Sequence, residues 1–193
     1  VAWARMVNDA FARVVGERPG RFAALATLPL NDPGASVAEL ERAMSTLGLP
    51  GAMVFSNVNH VALADARFEP LWRKANELGA VVYIHPTDPL GVDAMLDYWL
   101  MPLVGFLFDT TLAASTLVFS GVVARYPRIR WVLTHMGGAI PYLAERLDRG
   151  YRAFAECRQH IDRPPSEYLR DFYFDTVNFN PAALRPALDF AGE

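Results

Sequence analysis

Five short runs of aliphatic and β-branched residues recur along the chain: Phe22 to Leu28, Gly51 to Phe55, Val81 to His85, Trp131 to His135 and Phe172 to Asp175. In FAALATL, GAMVF and VVYIH the apolar residues are nearly continuous rather than alternating, which predicts parallel strands covered on both faces. Between the runs the spacing becomes helical. Asp32 is placed to cap a helix that starts at Pro33 and turns Val37, Leu40, Met44 and Leu47 to one side before Gly48. Pro70 opens a helix with Leu71, Ala75 and Leu78 on one face and Gly79 as its stop, and Pro141 opens another carrying Leu143 and Leu147. Asn180 caps a helix from Pro181, with Leu184 and Leu188 turned inward and Gly192 beyond it. The chain opens in an amphipathic helix marked by Trp3, Val7, Ala10, Phe11 and Val14.

Strand, loop and helix in repeating order predict right-handed βαβ units. No glycine-rich phosphate loop follows the first strand, where a dinucleotide-binding sheet would place one, so the preferred α/β architecture is a closed (β/α)8 TIM barrel. Such a barrel needs eight strands and typically about 250 residues. The five runs correspond to roughly strands 3 to 7, and residues 1–193 are expected to form one TIM-barrel domain lacking strands at both ends.

With 193 residues, 52% of them hydrophobic, the chain can bury a sizeable core. The 18 basic and 21 acidic residues are spread along the whole length for a net charge of −3, so no run of one sign is available to track phosphates, and nucleic acid is not an expected partner. A single cysteine, Cys157, and no signal-peptide pattern fit a reducing cytoplasm. From Trp99 to Ala124 the only ionised side chain is Asp109, which approaches the composition of a membrane span. Pro102, Gly105, Asp109, Thr110, Thr111 and Gly121 interrupt the stretch, and a lone acid inside a bilayer is costly. Two buried helical pieces joined near Phe108 and Asp109 are expected instead, with no membrane partner.

In barrels the functional groups sit at the carboxyl ends of the strands. Three titratable residues occupy such ends in succession, His85, His135 and Asp175, and two imidazoles with a carboxylate suit a divalent metal. A lone strand-end histidine is ordinarily a hydrogen-bonded loop residue; two on consecutive strands point to chemistry. Asp175, followed by Thr176, could equally bond to backbone in a turn. His60 and His160 read as solvated surface residues, and Cys157 lacks an activating neighbour in sequence. Gly137 and Gly138 after His135 permit positive φ or close backbone approach.

The runs LTHMGGAIPYLAERLDRGY (133 to 151), VVYIHP (81 to 86) and PPSEYLRDFYFDTV (164 to 177), with FEPLWRKANELG (68 to 79) and FSGVVARYPRIRWVLTH (119 to 135), resemble the amidohydrolase-related family that includes aminocarboxymuconate-semialdehyde decarboxylase and the resorcylate-type decarboxylases. The resemblance implies a (β/α)8 barrel with one divalent metal, zinc foremost and manganese as the other choice. In that family a His-x-His pair on the first strand, a His ending the fifth and an Asp on the eighth hold the metal. His85 matches the fifth-strand ligand, and His135 the sixth-strand histidine that moves a proton beside the metal. The resemblance thus leaves Asp175 without a set role. No His-x-His occurs in the chain, and the eighth-strand aspartate would lie beyond Glu193. The implied activity is decarboxylation of a small organic, possibly aromatic, carboxylic acid. Hydrolysis on the same fold and a barrel scaffold without a complete metal site are the alternatives. The apolar 99 to 124 region could bury surface in a homodimer.

Overall fold

The computed structural model describes residues 1–192. In chain order the main elements are α1 (Ala2–Glu17), β1 (Ala26–Thr27), α2 (Pro33–Ser45), β2 (Gly51–Phe55), β3 (Asn57–Val58), β4 (Val61–Ala62), α3 (Glu69–Leu78) and β5 (Val81–His85). Then follow α4 (Phe106–Phe119), α5 (Val122–Arg125), β6 (Arg130–Leu133), α6 (Ile140–Ala153), α7 (Pro165–Leu169), β7 (Tyr173–Phe174) and α8 (Pro181–Ala191). They form two compact units, the first being Val1–Val54, Asp65–Tyr83 and Tyr126–Arg130, and the second Phe55–Ala64, Ile84–Arg125 and the residues from Trp131 on.

In the first unit β1 pairs in parallel with β2, Ala26 facing Ala52 and Thr27 facing Met53, and β5 lies on the other side of β2. The approach of β2 to β5 requires a glycine at its start: a Cβ on Gly51 would stand 1.9 Å from the Val81 carbonyl oxygen. The helices end as their capping residues dictate. Asp32 accepts from the Ala35 N–H at the start of α2, and Gly79 closes α3 in the left-handed conformation with φ 63°. Leu40, Ala43, Phe68, Leu71, Trp72 and Ala75 form much of the core, with Trp72 and Phe68 rings 6.5 Å apart. A buried polar group accompanies them. The Glu39 carboxylate accepts from Asn8 Nδ2 (2.7 Å), Arg42 Nη2 (2.7 Å) and Arg5 Nε (3.3 Å), while Asn8 also bonds both backbone groups of Thr27. α1 accordingly turns Ala4 and Asn8 inward, and the expected apolar face is largely solvated, Trp3 being 78% exposed.

In the second unit β6 pairs in parallel with β7 through Val132 with Tyr173 and Leu133 with Phe174, and β6 follows β5 in the strand order. Trp131 stacks on Phe172 at 6.1 Å and 24°. A short antiparallel hairpin, β3 with β4, follows β2; its turn residues Asn59 and His60 both have positive φ, as tight hairpin turns require. The expected break near Phe108 and Asp109 is absent. A π-helical turn, Met101–Gly105, runs into an unbroken α4, and the interruption falls after it, at Gly121 with φ 74°. Pro102 sits at the start, where a missing N–H is tolerated, and Asp109 faces side-chain and loop donors, so neither breaks the helix. Met101–Phe119 is apolar enough to cross a membrane, with mean hydropathy 1.5, but its centre carries the buried polar run Asp109, Thr110 and Thr111.

Several strands are shorter than their apolar runs, Ala26–Thr27 within Phe22 to Leu28 and Tyr173–Phe174 within Phe172 to Asp175. Nor are both faces equally covered: along β5, Val82 and Ile84 are buried while Val81, Tyr83 and His85 are half-buried. Alternation of side chains across a strand thus places His85 on the more open face. In α8 the inward residues are Ala187 and Phe190 rather than Leu188, which is 47% exposed. Leu184, Ala187, Leu188 and Ala191 line a cavity of about 500 Å³ beside β7.

Candidate active site

His85 is the last residue of β5, and its Nδ1 lies 2.6 Å from the Pro86 carbonyl oxygen. A carbonyl only accepts, so a neutral ring in this contact carries its proton on Nδ1 and leaves the Nε2 lone pair free to bind an electrophile. His135 follows β6 in a turn where His135, Met136, Gly137 and Gly138 all have positive φ, at 55°, 57°, 74° and 62°. For the two residues with side chains this is strained, at a cost of order 1–3 kcal/mol each, and tertiary contacts hold it. The Met136 N–H donates to Asp175 Oδ1 at 3.1 Å, and the Ala139 N–H donates to Thr111 Oγ1 at 2.8 Å. Gly138 presses so closely on α4 that a Cβ there would come within 2.2 Å of the Leu107 carbonyl oxygen.

The turn brings the two imidazoles together, with ring centroids 5.5 Å apart and planes inclined at 58°. Phe106, the first residue of α4, flanks both, 6.2 Å from His85 and 6.3 Å from His135. The His135 Nδ1 is buried and, among the described residues, without a hydrogen-bond partner; the same holds for the hydroxyl of Thr134 before it. The proton affinity of His135 is held below its ordinary value. Burial disfavours the imidazolium most; the Asp175 carboxylate opposes that, and neighbouring His85 adds to it. At neutral pH the ring is therefore neutral.

Asp175 does not complete a metal triad. Its Oδ1 accepts from the backbone N–H groups of Met136 and Val177, and among the described residues no three His, Cys, Asp or Glu converge to hold a metal. The backbone bonding open to it from sequence is what the fold uses, and with the carboxylate committed to a turn the three-residue reading is corrected. His85, oriented by a carbonyl as metal-binding imidazoles commonly are, fits one ligand position. His60 and His160 are exposed, His60 pairing with Asp88 at 3.2 Å, and Cys157 is a free thiol.

Sequence reasoning passed over Asp109. It is 5% exposed and accepts from the Ser56 hydroxyl, Asn57 Nδ2 (2.9 Å) and the Leu90 N–H (3.1 Å). The available signal was its isolation: a lone acid in 26 otherwise uncharged positions must find partners when buried.

A parallel α/β fold with candidate residues at its strand ends suits a barrel as well as an open doubly wound sheet. A sequence model of the amidohydrolase family matches residues 1–193. The 2-amino-3-carboxymuconate-6-semialdehyde decarboxylase of Dictyostelium discoideum is 37% identical over 191 residues, covering 98% of this chain and 53% of the relative. Among solved structures, 5-carboxyvanillate decarboxylase LigW from Sphingomonas paucimobilis superposes with a TM-score of 0.92 at 33% identity, covering 99% of this chain and 59% of that one. Dihydroxybenzoic acid decarboxylase from Polaromonas sp. JS666, with bound manganese and the inhibitor 2-nitroresorcinol, superposes with a TM-score of 0.86 at 32% identity, covering 98% and 61%. The chain belongs to the amidohydrolase family and comprises part of a (β/α)8 barrel. It spans between about half and three fifths of the length of these relatives.

Proposed function

We propose that the full-length protein is a metal-dependent carboxy-lyase acting on a small aromatic acid without oxidation. The observation that carries this reading is the unlike pair of imidazoles 5.5 Å apart at adjacent strand ends. His85, its Nδ1 engaged by Pro86, offers Nε2 to a divalent metal. The metal, when bound, supplies Lewis acidity toward the substrate's oxygen atoms; manganese, as in the Polaromonas relative, is the first to test and zinc the second. His135 handles the proton. A ring whose imidazolium is disfavoured by burial releases its proton readily. His135, neutral at rest, takes up one proton from solvent as the acid binds; as the bond between the ring carbon and the carboxylate breaks, CO2 leaves, the bonding electron pair stays on carbon and takes that proton, and His135 returns to its neutral form. Phe106 supplies an apolar wall beside both rings. The reading includes a single barrel domain, a cytoplasmic setting, and a homodimer that covers the outward apolar residues of α4, Val104 just before it, Phe108 and Leu112.

The test is turnover of hydroxybenzoates by the full-length protein loaded with manganese. The panel takes its members from the acids named for the relatives, γ-resorcylate, 5-carboxyvanillate and 6-methylsalicylate, with chromatography of the phenolic products. Release of CO2 and the matching phenol from at least one is expected. A folded, metal-loaded protein that hydrolyses esters or lactones while leaving every acid intact overturns the lyase reading, and one that binds no metal supports a scaffold.

A further inference from the structure

We propose that one turn of α4, through Asp109 and Thr111, is a positioning device that sets the His85 and His135 loops at their working separation; the inference rests on the proposed lyase function for its kinetic consequence.

Three buried polar residues in succession, Asp109, Thr110 and Thr111, stand in a helix whose other buried residues, Ala113, Ala114, Leu117 and Val118, are apolar. A buried carboxylate is tolerated only when its oxygens are satisfied, and the donors to Asp109 come from two different loops. Ser56 and Asn57 belong to the segment that leaves β2; Leu90 belongs to the segment that leaves β5. Ser56 also reaches His85 directly, and Asn57 reaches the loop that follows it. The Ser56 N–H donates to the His85 carbonyl oxygen at 3.1 Å, and Asn57 Nδ2 donates also to the Asp88 carbonyl oxygen at 2.8 Å. Asp109 thus fixes His85 from the strand beside it and from the loop behind it.

Two residues on, Thr111 does the corresponding work for His135. Its hydroxyl donates to the Leu107 carbonyl oxygen (2.7 Å) and accepts from the Ala139 N–H (2.8 Å), using both capacities of a hydroxyl at once. With Gly138 seated against Leu107, the left-handed run that follows β6 has little freedom left. The loops holding the two imidazoles share one rigid support. A displacement of about 1 Å at reacting groups can cost about 100-fold in rate, so loosening either attachment should act on turnover more than on substrate binding.

The experiment compares Thr111→Val, which keeps the shape and removes the hydroxyl, with Thr111→Ser, which restores it, and with the milder Ser56→Ala, all in the full-length protein. Expected for Thr111→Val is a fall in kcat of about 10- to 100-fold with KM changed less than about 3-fold. Thr111→Ser should recover most of kcat, and Ser56→Ala should lose several-fold. Amide hydrogen exchange gives a readout independent of turnover: Gly138 and Ala139 should exchange faster in Thr111→Val and at the wild-type rate in Thr111→Ser. Wild-type kcat in Thr111→Val, or no kinetic recovery in Thr111→Ser despite restored protection, overturns the proposal. If the wild-type protein decarboxylates nothing, the lyase reading fails, while the exchange pattern still upholds or overturns the support of the loop by Thr111.

Discussion

His85 and His135 differ in what surrounds each ring, and that difference predicts different outcomes when each is removed. His85 presents a free Nε2 because Pro86 engages its Nδ1, so His85→Ala in the full-length protein should lower metal content and turnover together. In the proposed reading His135 moves the proton, so His135→Ala should retain most of the metal while losing about 100-fold or more in kcat. Metal analysis beside steady-state kinetics reads both; equal loss of metal in the two variants would put His135 among the ligands and sink the assignment. Both residues were visible in the sequence because each closes an apolar run, although in the fold His135 stands two residues beyond the end of β6. Asp109 stood out only as a lone acid, and its role stayed hidden because its donors are Ser56, Asn57 and Leu90, partners 19 to 53 residues away that no local pattern reveals.

Elements were legible where a cap is local and obscure where tertiary contacts decide. Asp32, Asn180 and Gly79 mark helix ends in the sequence and in the fold, since capping needs only neighbouring residues. Which face a helix buries proved harder to read. α1 and α2 bury Asn8 and Glu39 as a bonded set, against the simple apolar rule. Burial alone would raise the Glu39 pKa, but hydrogen bonds from Arg42 and Asn8, with the Arg42 charge, bring it below the ordinary 4.5. A carboxylate so depressed stabilises the folded state fully above about pH 4.5, and that contribution disappears as pH falls through the lower folded value. Glu39→Gln should therefore cost roughly 3 kcal/mol at pH 7 and flatten the acid limb of urea stability below pH 4.5; an unchanged acid limb would count against the pairing. Gly138→Ala tests the contact between α4 and the turn after β6. With φ at 62° and a Cβ meeting the Leu107 carbonyl oxygen, it should lose about 2–4 kcal/mol in the same measurement.

At the scale of the molecule, repeated strand and helix patterns narrowed the fold to an open sheet or a barrel, and the lack of a glycine-rich loop after the first strand, with the family resemblance, favoured the barrel. The chain spans 53% to 61% of the relatives described above, and His85 is the metal ligand proposed among its described residues. Residues 1–193 expressed alone carry strands β1 and β7 at the ends of the strand order, each with an edge open to further pairing. Such edges invite association, so light scattering should rise with concentration and thermal unfolding should be broad; a monomer with one sharp transition would contradict this. The four tryptophans provide an optical handle on the same question. Trp72 lies buried in the first unit and Trp131 in the second, whereas Trp3 and Trp99 are 78% and 76% exposed. Replacing the exposed pair with phenylalanine should remove the red, acrylamide-quenchable part of the fluorescence and leave two shielded emitters, one reporting on each unit.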